Sequence, residues 1–194
     1  MKPHLILASS SSRRKFLLDQ LGIGPFKVIE PKIIENNYQN ILPKKIVLES
    51  AYNKAASIKK KLKDEKGYII AGDTIVSRSK KNYFKALDTE NVRKYLSELS
   101  GKKHFVYGGI CVISPKGVIA RKLIITEVYF NRILKNELND ELLLKDGIGK
   151  SGGYGIQGLA IKFIKKIKGS YTNVVGLSLP DLYNILKGLG FKKY

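Results

Sequence analysis

Three short segments carry the side chains with the clearest chemical potential. The first is Ser9-Ser10-Ser11-Ser12-Arg13-Arg14, set between an apolar run and a stretch of helical spacing. Backbone N–H groups at a helix N-terminus, serine hydroxyls and two fixed cations together make an anion cradle. The plainer alternative is an N-cap with a solvated basic first turn, although basic residues at a helix start oppose the helix dipole and need a compensating reason. The second segment is Ala71-Gly72-Asp73-Thr74, at the end of an expected strand. In open α/β sheets ligands bind at strand ends, and an Asp there can hold Mg²⁺ or accept a proton from water. Alternatively, Asp73 is a turn residue bonding its own backbone. The third is Gly152-Gly153-Tyr154-Gly155-Ile156-Gln157-Gly158. Its four glycines allow close backbone approach to a ligand, and Gln157 offers both donor and acceptor to a base edge.

The elements that must hold these segments read as βα units plus one long hairpin. Residues 5–8 form a short buried strand. Residues 13–21 form a helix, with Leu17, Leu18 and Leu21 at helical spacing and Gly22 as its stop. Residues 26–29 alternate as a second strand, and 31–43 make a polar connection of a length that is often functional. From Lys44 to about Leu62, the positions Val47, Ala51, Ala55, Ile58 and Leu62 predict an amphipathic helix with a lysine-rich outer face. Residues 68–71 are a compact apolar strand that 75–78 could continue. Thr89 is the expected N-cap of a helix to Leu99, with Gly101 as its stop. Residues 104–113 and 117–130 read as strands joined by the turn sequence Ser114-Pro115-Lys116-Gly117. Beyond them the pattern predicts a helix over 136–144, a structured loop over 147–158, a strand over 160–167 and a helix over 179–186. This mixture points to an α/β or α+β fold with a mixed sheet, in one domain covering 1–194.

Composition narrows the function classes. The 43% hydrophobic and 27% charged residues are ordinary globular usage, not the signature of disorder. No stretch approaches the roughly 20 apolar residues of a membrane span, and the run at 5–8 is too short for a signal-peptide core, so a cytoplasmic protein is expected. Cys111 is the single cysteine and sits in an apolar run, which excludes an internal disulfide and predicts buried packing rather than a catalytic thiol. His4 and His104 read as strand residues, and no His/Cys spacing supports a zinc site. The net charge of +20 alone would suggest a polyanionic partner. Its cations are mostly lysines spread along the chain in doublets, which favours a solvated surface over a nucleic-acid face.

Taken in order, the segments resemble the Maf family of nucleoside triphosphate pyrophosphatases over nearly the whole chain. Leu7-Ala8-Ser9-Ser10-Ser11-Ser12-Arg13-Arg14 resembles the family's LAS-x-SPRR opening, Lys54-Ala55 its KA pair and Ala71-Gly72-Asp73-Thr74 its central motif. Leu99-Ser100-Gly101-Lys102-Lys103-His104 is similar to LSG-x-x-H, and the segment from Lys150 to Gly158 to KAGAYGIQG. Gly169-Ser170-Tyr171 with the segment from Asn173 to Leu179 resembles GSY-x-NVVGLPL.

The resemblance implies a Maf/ITPase-like elongated mixed sheet flanked by helices, with two lobes and a central cleft. It also implies a homodimer, and hydrolysis of a nucleoside triphosphate to the monophosphate and pyrophosphate with Mg²⁺ or Mn²⁺. By the same resemblance Asp73 is the general base and shares the metal with Glu35, while Ser9, Arg13, Arg14, Lys54 and Lys85 surround the triphosphate. Arg13, Thr74 and Gln157 match positions tied to substrate choice, and the YGIQG form looks like the branch acting on dTTP and UTP. Four departures stand out: Ser12 replaces the SPRR proline, Ala86 a proline after Lys85, Ile34 one acid of a pair, and Gly108 a threonine. They bear on turnover, loop rigidity and substrate range, and they leave a catalytically weak nucleotide-binding regulator as the alternative.

Overall fold

The computed structural model describes residues 4–33, 41–62 and 67–192. Its centre is a seven-stranded mixed sheet built from β1 (His4–Ala8), β2 (Phe26–Ile29), β3 (Gly67–Arg78), β4 (Lys81–Tyr83), β5 (Lys103–Ile113), β6 (Ile119–Phe130) and β7 (Ile164–Lys168). The order is β2-β1-β3-β5-β6-β7, with β4 paired to β3. β1 runs parallel to both β2 and β3, whereas β4 on β3 and β7 on β6 are antiparallel. The described α-helices are α1 (Ser12–Gln20), α2 (Pro43–Lys61), α3 (Thr89–Leu99), α4 (Glu141–Gly147), α5 (Tyr171–Val175) and α6 (Leu179–Gly188). The expected mixed α/β class is therefore the observed one.

The chain divides into two compact units, one of Met1–Asp73, Gly108–Ile124 and Gly176–Tyr194, the other of Thr74–Tyr107 and Ile125–Val175. In the first, α2 lays Ala51, Ala55 and Ile58 against Ile6, Ile69 and Cys111 of the strands. Small residues bring the helix close to the sheet. At Gly109 a β-carbon would stand 2.2 Å from the carbonyl oxygen of Val47, so only glycine fits beneath the helix there. Proline at the first position of α2 fits a site whose N–H has no helical partner, and Lys59, Lys60 and Lys61 suit the negative end of the dipole. Cys111 is fully buried as expected, and burial pushes its thiol up to about 11.

The second unit has its own core, in which Val92, Leu96 and Leu99 of α3 pack with Val106, Val128, Phe130 and Phe163. Three local expectations need correction here. Asp88, not Thr89, caps α3, because its carboxylate reaches the Asn91 amide at 2.7 Å and sits at the positive end of the dipole. The helix expected over 136–144 is broken: a 3₁₀ turn at Glu137–Asn139 ends at Asp140, whose side chain accepts from Leu142 and Leu143 and starts α4 afresh. The strand expected from Ala160 begins at Ile164, and Leu159–Phe163 is 3₁₀ with Ala160 and Phe163 turned into the core. β3 runs on to Arg78, the continuation over 75–78 that the sequence allows, and turns back into β4.

Candidate active site

Asp73 lies inside a twelve-residue strand, at a place where its neighbours change. The β1 register ends at Leu7↔Ile70 and the β4 register begins at Val76↔Tyr83, so Asp73 and Thr74 fall between two pairings. Both side chains are half-buried, in contrast to the fully buried residues on either side of them. The strand-end reading was thus wrong in detail. What it sought is supplied by the early end of β1.

In the first unit, Asp73 Oδ1 accepts a hydrogen bond from Lys54 Nζ at 2.6 Å, and the two side chains are 15% and 10% exposed. Lys54 sits on the buried face of α2, between Ala51 and Ala55. Arg14 adds a second cation: its Nε donates to the Gly176 carbonyl at 2.9 Å, and a β-carbon on Gly72 would lie 3.4 Å from that Nε. Burial lowers the proton affinity of the Arg14 guanidinium and Arg13 adds to that, while Asp73 opposes both. A short charge-assisted bond of this kind holds a carboxylate in one orientation.

The serine run is partitioned. Ser11 is the N-cap of α1, its Oγ accepting from the Arg14 amide at 3.5 Å, and the buried Ser9 accepts from the Ser11 amide at 3.1 Å. The first turn of α1 holds no acid, so Arg13 and Arg14 oppose the helix dipole without a carboxylate in that turn. Capping and an anion cradle are therefore compatible, since Ser9 and Ser11 fix the turn from which both arginines project.

In the second unit, Ser151 ties two expected site residues, Thr74 and Lys85, together. Its Oγ donates to the Thr74 carbonyl at 2.9 Å, its backbone bridges to Lys85, and the neighbouring Lys150 carbonyl accepts from the Ala86 amide at 3.1 Å. Lys85 and Gln157 are exposed. Composition gave no hint of Ser151's role; only its place in the Gly-rich motif marked it. The glycines also serve the fold more than expected. At Gly158 a β-carbon would meet Asp146 Oδ2 at 2.2 Å, so that close approach is to the chain's own carboxylate, which is ion-paired to Lys150 at 2.9 Å. Glu35 lies outside the described residues. Among those described, no group of three or more His, Cys, Asp or Glu could hold a metal.

The same architecture occurs in a HAM1 protein from Coxiella burnetii, with a TM-score of 0.55 and 15% identity over 96% of this chain and 99% of that one. That likeness defines the fold. The profile of Maf-like proteins matches residues 4–189, and the chain belongs to the Maf family. Among curated relatives, the dTTP/UTP pyrophosphatase of Agrobacterium fabrum is 38% identical over 195 residues, covering 98% of this chain and 94% of the relative. The nucleoside triphosphate pyrophosphatase of Neorickettsia sennetsu is 37% identical over 98% of this chain and 90% of its own length.

Proposed function

We propose that this chain hydrolyses dTTP and UTP to the nucleoside monophosphate and pyrophosphate. The observation that carries the reading is the Asp73–Lys54 pair, a carboxylate held at 2.6 Å by a buried lysine within the electrostatic reach of Arg14. Asp73 accepts the proton of the attacking water as the bridge between the α and β phosphates breaks. Lys54, Arg13, Arg14 and Lys85 stabilise charge that spreads over the phosphate oxygens and the departing pyrophosphate. Ser9 and the α1 amides bind a phosphate at the helix start. Thr74, Arg13 and Gln157 select the nucleotide, and the two relatives' names support a triphosphate substrate.

A hard divalent cation such as Mg²⁺ or Mn²⁺ takes one or two protein carboxylates and completes its shell with substrate phosphates. Asp73 would hold it, together with Glu35. When bound, such an ion supplies neutralisation of the triphosphate's charge. None of the described helices is long and apolar enough to cross a membrane. We further propose a cytoplasmic homodimer, which equilibrium sedimentation would read as twice the chain mass.

The test is pyrophosphate release from dTTP and UTP with Mg²⁺ or Mn²⁺. Asp73→Asn should lower kcat at least about 100-fold, the range for removing a positioned base. Turnover of that variant at the parent rate would overturn the assignment. Nucleotide binding without turnover in the parent chain would instead establish the regulatory alternative.

A further inference from the structure

One buried polar cluster of the second unit takes no part in the proposed chemistry. His104 on β5 is fully buried, and its Nε2 lies 2.8 Å from the Tyr154 hydroxyl, itself on a side chain only 6% exposed. Phe130 on β6 closes the group, with its ring centroid 4.8 Å from His104 and 4.9 Å from Tyr154, both edge-on. Burial holds His104 down to about 4 and raises the Tyr154 hydroxyl, so both are neutral near pH 7. A phenol this deep must find a polar partner or lose the cost of its own desolvation.

Tyr154 stands three residues before Gln157, in a segment whose glycines 152, 153, 155 and 158 leave the backbone little intrinsic preference. Ile156 is buried beside the exposed Gln157, so the loop is pinned from below and presents one amide outward. Orientation of that amide matters. A Gln side chain can satisfy the N3–H and O4 of uracil or thymine, or, after a half-turn, the N3 and N4 groups of cytosine. Preference between these bases therefore requires the amide to be held in one orientation, which a loop of fixed conformation beneath Gln157 allows and a wandering one does not.

We propose that His104 and Tyr154 are a positioning pair that sets how the Gly-rich loop presents Gln157 to the nucleobase, and thereby enforces the choice of uracil or thymine over cytosine. Neither residue touches substrate. The proposal rests on the reading of Gln157 as the base-selecting residue.

The experiment measures the ratio of kcat/KM for UTP over CTP, which does not depend on how much of a variant is folded. Gln157→Ala should lower the ratio, and Tyr154→Phe should lower it about fivefold, the range of one lost hydrogen bond. The double variant should fall no further than the deeper single, because both changes act through one amide. His104→Gln, whose amide can still pair with the phenol, should keep more of the ratio than His104→Leu. A parent chain without preference, or Gln157→Ala with the parent ratio, removes the selection reading and this proposal together. If Gln157→Ala lowers the ratio while Tyr154→Phe keeps it, the proposal alone is overturned. Additive losses in the double variant, or equal losses in the two His104 variants, overturn it as well.

Discussion

Lys54 was legible only through its likeness to a family motif. On a helix that also carries Lys44, Lys45, Lys59, Lys60 and Lys61, another lysine reads as part of a solvated face. The structure buries it, because the Ala51–Ala55 stretch of α2 sits close enough to the sheet for a long side chain to reach β3. Asp73 was visible as a strand-associated carboxylate, but its partner was not, since no local pattern links residues nineteen apart on a helix and a strand. A pair this enclosed has a further consequence. Lys54→Met should cost about 3 kcal/mol by leaving a carboxylate enclosed without its cation, and Lys54→Met with Asp73→Asn should recover part of that loss. Urea unfolding of the two variants checks this: if the double variant is the less stable one, the pair is not coupled as described.

Among elements, those with strong periodicity or an apolar run came through well, including β1, β2, α2 and the strands flanking the Ser114 turn. Misreadings cluster where a polar side chain or a turn decides. Asp140 restarts a helix that the apolar spacing carries straight through, because capping is a single contact and leaves no periodic trace. The β3–β4 hairpin was missed for a different reason. Its two turn residues, Ser79 and Lys80, both have positive φ, 49° and 65°, a geometry normally announced by Asn-Gly. Left-handed backbone costs ordinary residues about 1–2 kcal/mol each. Replacing Ser79-Lys80 by Asn-Gly should therefore stabilise the protein by about 1 kcal/mol, readable as a higher urea midpoint at unchanged slope. A lower midpoint would show that the turn is held by contacts of those two side chains.

For the molecule as a whole, the mixed α/β class could be read from the residues, whereas a two-part division entered only through the family resemblance: the strands that supply both units are continuous in sequence and carry no boundary signal. Two global properties follow from charge. Between its ordinary value of 6.5 and the folded value near 4, His104 takes up a proton more readily in the unfolded chain than in the folded one. Stability is thus fully present above about pH 6.5 and falls by about 3 kcal/mol as pH drops towards 4. His104→Gln should flatten that part of the pH profile, and an unchanged acid slope would exclude His104 as its source. A net charge of +20 also repels itself. Raising ionic strength from about 0.01 to 0.2 M should increase Tm, because the screening length shrinks to within the spacing of surface lysines; a flat response would mean that local ion pairs such as Lys81–Glu98 already balance the surface.

The strands β3, β5 and β6 each begin in one unit and end in the other, and this sets an order of events during synthesis. The first unit opens with the earliest residues of the chain, yet it needs the segment from Gly176 onward, which leaves the ribosome after every residue of the second unit has been made. Arg14 waits for the Gly176 carbonyl across 162 positions. The second unit can therefore close while the amino-terminal strands are still without their last helix, and the carboxylate and cations gathered around Asp73 are among the last parts of a newborn chain to be assembled.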